Sequence, residues 1–166
     1  FAGALDPALE RNDLTAPAGV CWRGETRALE TGLAGSVPSV KVVGTLLMVD
    51  RVVTSLREKA ELRERTGADL IDMETFAAAA AASEPGAAAP TRFVSLRVVS
   101  DDARTELPAE VGRLLNTSGS YRVGAALRAL WGRPGAVKDF WKLHAHAMEA
   151  ADRLADGLHV LIRNLD

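Results

Sequence analysis

Two stretches of the chain read as strong strands. Val40 to Val49 reads VKVVGTLLMV and Thr91 to Ser100 reads TRFVSLRVVS. Both have strand length, and the near-continuous apolarity of the first predicts burial on both faces. Ala68 to Asp72 predicts a shorter strand. Asp13 to Val20 predicts another, and Pro17 inside it points to a sheet edge. Phe1 to Leu9 reads as a turn. Trp22 to Ser39, with Gly24, Gly32, Gly35 and Pro38, reads as loop with short strand pieces.

Between the strands the pattern changes to helix formers. Thr54 or Ser55 can cap a helix over Leu56 to Arg65, and Gly67 ends it. Glu74 to Ser83 predicts an alanine-rich helix whose small side chains allow close approach to a sheet. Glu84 to Pro90 reads as a surface loop. Pro108 can start a helix, Asn116 to Ser120 is a polar turn, and Tyr121 to Trp131 predicts an amphipathic helix stopped by Gly132 to Gly135. From Ala136 to Leu165, Phe140, His144, Ala147, Ala151, Leu154, Leu158 and Leu161 recur at three- and four-residue steps. That is the stripe of a long C-terminal helix packed on a core. Strand, helix, strand, helix, strand with short loops predicts an α/β domain.

The 166 residues suit one domain with a real core. Net charge is −2 and the arginines are scattered, so nothing favours nucleic acid as a partner. Cys21 is the single cysteine, which excludes an internal disulfide and fits a reducing, cytoplasmic setting. It reads as a small packed side chain. No stretch approaches the ~20 apolar residues of a membrane span. The opening FAGALDPALE has neither a basic region nor an apolar core of a signal peptide.

Candidate chemistry sits where two strands run into acids: Asp72-Met73-Glu74 and Ser100-Asp101-Asp102. In an open α/β sheet, ligands bind at the carboxyl ends of strands. Strand alternation puts Arg97, Val99 and Asp101 on one face, so Arg97 and Asp101 can border one pocket. A structural account is equally available, with the acids capping helices or forming a salt-bridge cluster. His144, His146 and His159 all fall in the last predicted helix and read as solvated or satisfied helix histidines. They lack metal-ligand spacing with an acidic third group, and one cysteine rules out a cysteine cluster, so no metal site is predicted. No nucleophile elbow, P-loop or dinucleotide fingerprint appears, and Ser100 and Asp101 have no nearby histidine for a triad.

The run IDMETFAAAA resembles the DMEsaAva signature of the nucleoside phosphorylase and nucleosidase superfamily, which includes purine and uridine phosphorylases and methylthioadenosine/S-adenosylhomocysteine nucleosidases. SLRVVSDDA is similar to its vIRaiSDxa signature. FAGALDPALERNDL resembles the run GsaGgLdpxlkvGDl, with Ala2, Gly3, Leu5 and Asp13 held, and VKVVGTLLMVD resembles a stretch carrying a G-t-i…sgD pattern. The resemblance spans most of residues 1 to 101. It implies a phosphorylase/hydrolase-like fold, a central mixed sheet flanked by helices and closed by the long C-terminal helix. It also implies roles. Glu74 bonds ribose hydroxyls, with Met73 under the sugar and Asp72 beside them. Asp101 protonates the leaving purine at its N7 position, oriented by Ser100. Arg97 helps hold the nucleophile, phosphate or water, and Ala2 and Gly3 line the substrate side.

Phe1 stands where many members have Ser or Thr, and Val52 falls near the place of a base-stacking Phe. VDRVVTSLREKAELRERTGADLIDMET, with RALWGRPGAVKDFW, resembles most the hopanoid-associated phosphorylase branch, whose substrate is an adenosyl lipid. Members carry a further N-terminal portion with the first strands, so residues 1–166 are expected to be a single, N-terminally incomplete domain. The resemblance implies cleavage of a nucleoside N-glycosidic bond with no metal or organic cofactor. Phosphate is a candidate co-substrate, and homo-oligomers are common. Two other readings stay open. One is a non-catalytic truncated or degenerate member that binds a nucleoside-like ligand or completes an oligomer. The other is an unrelated α/β small-molecule binding module.

Overall fold

The computed structural model describes residues 1–84, 93–107 and 134–164, the last with side chains from Met148 onward. In chain order the elements are β1 (Ala2–Ala4), β2 (Leu14–Trp22), β3 (Glu25–Ala28), a 3₁₀ turn (Ala34–Ser36) and β4 (Lys41–Met48). Then come α1 (Leu56–Thr66), β5 (Leu70–Asp72), α2 (Thr75–Ala82), β6 (Arg97–Asp101) and α3 (Pro134–Arg163). The α/β expectation with a mixed central sheet and a long C-terminal helix is met. The predicted elements over 108–131 and the loop over 85–90 lie outside the described residues.

The sheet runs β3-β2-β4-β5-β1-β6, and β2 also pairs with β6. Strands β2, β4, β5, β1 and β6 therefore close a ring, with β3 attached to β2 as a hairpin. Strands β2, β4 and β5 are mutually parallel; β1 and β6 are parallel to each other and run against them. Closure removes the open edge that a sheet would otherwise expose.

Ring closure corrects two sequence expectations. Pro17 is not on an edge strand: it is fully buried and stands opposite Val43 of β4. On its other flank β2 changes partner, from β6 at Leu14 and Thr15 to β3 from Gly19 onward. The proline falls in that break in the ladder. Strand β4 is not buried throughout either. Leu46, Leu47 and Met48 are buried, but Val42 is 56% exposed.

Alternation along the strands sorts the core into faces. Ala2, Leu46, Leu70 and Val99 pack with Phe76 and Ala79 of α2. Leu47 and Ile71 pack with Leu62 of α1. Leu14, Leu96 and Val98 pack with Ala150 and Leu161 of α3. Helix α1 begins as the sequence predicts, with Ser55 Oγ accepting from the Glu58 amide at 3.2 Å. It ends at Gly67, whose φ of 67° is the left-handed conformation that favours glycine.

The stripe of α3 is shifted from the predicted one. Ala150, Gly157 and Leu161 are buried and Leu154 half-buried, while Leu158 is largely exposed. A Cβ at Gly157 would stand 2.6 Å from Leu14 Cδ2. The helix approaches the sheet at a glycine, which an apolar count passes over.

Candidate active site

Strand β1 brings the two acidic segments together. It pairs with β5 on one flank, Gly3 opposite Ile71, and with β6 on the other, Ala2 opposite Val99 and Gly3 opposite Asp101. Because β5 and β6 run in opposite directions, their carboxyl ends do not coincide. The end of β5, at Asp72, meets the beginning of β6, at Arg97. Arg97 Nε lies 3.3 Å from Asp72 Oδ2.

Thr75 completes that cluster. Its hydroxyl accepts from Arg97 Nη2 at 2.6 Å and from Nε at 3.1 Å, and donates to Asp72 Oδ2. Asp72 Oδ1 also accepts from the amides of Glu74 at 3.3 Å and Thr75 at 3.2 Å. The carboxylate thus serves the first turn of α2 and an ion pair at once, which is the structural role the sequence left open. Asp72 is 7% exposed. Met73 is half-buried and Glu74 is exposed, so the Glu74 carboxylate faces solvent where a ligand could reach it.

Asp101 departs from the predicted geometry. Between Ala2 and Gly3 the β1–β6 register slips by one, so Ser100 is the extra residue of a β-bulge. The bulge breaks alternation. Arg97 stays with Asp72, but Asp101 turns to the face of Gly3 and Ile71, which α1 covers. There Lys59 Nζ of α1 binds Asp101 Oδ2 at 2.6 Å. Ser100 Oγ lies 2.7 Å from Asp101 Oδ1 and 3.2 Å from the Ala2 carbonyl. Asp101 is 9% exposed, and Ser100 is open to solvent.

Gly3 makes this packing close. A Cβ there would stand 3.1 Å from Asp101 Oδ2 and 3.2 Å from Ile71 Cγ1. Beyond β6, burial raises Asp102, but hydrogen bonds from the Thr105 side chain and from the Arg104 and Thr105 amides, with Lys59 nearby, bring it below the ordinary carboxylate value.

Sequence reading missed Lys59 and Thr75. Lys59 sits in a run of charged helix formers, yet it lies three residues before Leu62, and these two are the buried residues of α1. Thr75 follows Glu74 directly, and a hydroxyl at a helix start was its signal. His159 is exposed on α3, as read; the side chains of His144 and His146 lie outside the described ones. Cys21 is half-buried. Among the described residues no three His, Cys, Asp or Glu side chains converge on a metal position, and no helix is long and apolar enough to cross a membrane.

A model of the phosphorylase superfamily matches residues 15–127. The chain belongs to the phosphorylase superfamily. Solved structures of similar fold include the 5′-methylthioadenosine/S-adenosylhomocysteine nucleosidase of Neisseria meningitidis in complex with methylthio-immucillin-A. It is 17% identical with a TM-score of 0.63, over 98% of this chain and 66% of that one. The S-adenosylhomocysteine nucleosidase of Streptococcus pyogenes, in complex with 5-methylthiotubericidin, is 15% identical with a TM-score of 0.60, over 99% and 65%. The Campylobacter jejuni 5′-methylthioadenosine/S-adenosylhomocysteine nucleosidase is 22% identical with a TM-score of 0.55, over 64% and 56%. This phosphorylase-superfamily chain thus spans two thirds or less of the length of those proteins. Comparison with curated proteins gives no match. The shared fold is the phosphorylase-like α/β architecture predicted from the sequence.

Proposed function

We propose that the full-length protein cleaves the N-glycosidic bond of a nucleoside, with water or phosphate as nucleophile. The observation that carries this reading is the convergence on β1 of Asp72-Met73-Glu74 from one flank and Arg97 to Asp101 from the other. Breaking such a bond leaves positive charge on the ribose and negative charge on the departing base. Groups that act on those charges stabilise the transition state more than the substrate. Asp101, sheltered from water, protonates the base with Ser100 orienting it. Glu74 accepts from ribose hydroxyls, Met73 packs under the sugar, and Arg97 holds the nucleophile beside Ala2 and Gly3. Asp72 supports the site through α2 and Arg97.

Residues 1–166 act as one domain in this reading, in a cytoplasmic homo-oligomer. The reaction needs no metal or organic cofactor, and phosphate enters only as co-substrate. The nucleosidases of similar fold make methylthioadenosine the first substrate to test. Val52, where an aromatic would stack on the base, supports a second substrate class: adenosines with a large apolar 5′ substituent, as in the hopanoid-associated branch. Trp131, and the side chains of Phe140 and Trp141, expected to border such an entrance, lie outside the described ones.

The test follows free-base release by the full-length protein from methylthioadenosine and from an adenosine bearing a long 5′ alkyl chain, with and without phosphate. Release from either substrate supports the reading, and phosphate dependence separates phosphorolysis from hydrolysis. Preference for the small substrate removes the lipid-linked reading. Binding without release favours the non-catalytic one.

A further inference from the structure

Lys59 is 1% exposed on an otherwise strongly charged helix. A buried ammonium is costly unless it is paired and its donors are satisfied. An ammonium has three N–H donors. Those of Lys59 go to Asp101 Oδ2 at 2.6 Å, the Asp102 carbonyl at 2.7 Å and the Thr105 carbonyl at 3.1 Å. All three acceptors belong to the end of β6 and the turn after it, and they hold the ammonium against Asp101 rather than in water.

The other side of Asp101 is built differently. Ser100 has one hydroxyl proton and two acceptors in reach, the Ala2 carbonyl and Asp101 Oδ1. With Asp101 ionised, Ser100 donates to Oδ1. With a proton on Oδ1, Asp101 donates to Ser100 Oγ, and Ser100 turns its own proton to Ala2. Both states are hydrogen-bonded without moving a heavy atom. Lys59 occupies Oδ2 in either state, and Gly3 leaves room for the carboxylate, since a Cβ there would stand 3.1 Å from Oδ2 and 3.4 Å from Oδ1.

We propose that Lys59 is the positioning residue of the acid: by holding Asp101 Oδ2 it keeps the transferable proton on Oδ1, on the side of solvent-facing Ser100. This rests on the nucleosidase reading of Asp101. In the step itself the Oδ1–H bond breaks and a base N–H bond forms. The electron pair of the broken bond stays on Asp101 as carboxylate, and Lys59 keeps its own protons and balances that charge. A staple that merely ties α1 to β6 would make the same bonds but would act on every substrate alike.

The discriminating experiment uses two ribosides on the full-length protein. One is a purine nucleoside, whose base must be protonated to leave. The other is 4-nitrophenyl riboside, whose leaving group departs without a proton. For Lys59→Met, kcat on the purine nucleoside should fall by ~10² or more, with KM and the nitrophenyl reaction within about threefold of wild type. Equal losses on both substrates, or no loss on either, overturn the assignment.

Should Lys59→Met alone fail to fold, the pair Asp101→Asn and Lys59→Met/Asp101→Asn decides, since the double variant removes both buried charges. Equal turnover of the purine nucleoside by those two variants supports the assignment, and a further loss in the double variant overturns it. Wild-type protein that cleaves neither riboside overturns the nucleosidase reading and this assignment with it.

Discussion

Removing the Asp72 carboxylate should show how the two acidic segments are coupled. Asp72→Ala deletes the bonds to the Glu74 and Thr75 amides, at about 1 kcal/mol for a lost helix cap. It also strips the partner from Arg97, at ~3–5 kcal/mol for a broken buried pair. The Arg97 side chain keeps 21% exposure, which favours the lower end. The sum is about 4 kcal/mol, a large fraction of the ~5–15 kcal/mol that holds a typical domain. At ~2–4 °C per kcal/mol, the melting temperature should fall by about 10 °C.

Arg97→Met in the same background removes the orphaned charge and should recover about 2 kcal/mol. Urea unfolding followed by circular dichroism on the four proteins of the cycle measures the coupling. Additivity within about 0.5 kcal/mol would refute the pairing of β5 with β6 through these side chains.

Glu74→Gln should weaken turnover of ribosides far more than of their 2′-deoxy analogues, because a charge-assisted bond to a ribose hydroxyl contributes roughly 1.5–3 kcal/mol; equal losses in kcat/KM would leave Glu74 only a place at the start of α2. Gly3→Ala pushes a methyl against the Asp101 carboxylate and should lower kcat about threefold to tenfold with little change in KM; unchanged kcat would place the reacting group elsewhere. Asp102 is lowered in the folded chain, so its contribution to stability is complete above the ordinary value of 3.8 and is lost as pH falls through the folded value. Asp102→Asn should therefore be less stable than wild type at neutral pH, and the gap should narrow in melts as pH falls below 3.8; a gap that stays constant into acid would contradict that linkage.

Local signals carried the legible part of the fold. Ser55 and Gly67 bound α1 because cap chemistry is set by neighbouring residues, and Leu46 to Met48 mark a buried strand by themselves. Ring closure was not legible, because the β2–β6 pairing joins Leu14 to Val98 across the chain and leaves no local mark. Pro17 misled for the same reason: its tolerance comes from the change of partner beside it.

Asp72, Arg97 and Asp101 were legible as candidates, but the faces they take in the fold were not. Alternation predicted one pocket wall for Arg97 and Asp101, and a one-residue bulge at Ser100 turned the acid toward α1. Nothing in SLRVVSDD marks that extra residue. Lys59 was hidden by its own charge, although its spacing to Leu62 placed it on the buried stripe.

The central claim is that Asp101 supplies the proton for N-glycosidic cleavage. The most direct measurement is single-turnover release of adenine from methylthioadenosine by the full-length protein and its Asp101→Asn variant, with nucleoside affinity measured alongside. The asparagine keeps the shape and removes the proton, so the rate should drop by ~10²–10⁴ while affinity changes little. Adenine released by Asp101→Asn at the wild-type rate would contradict the account.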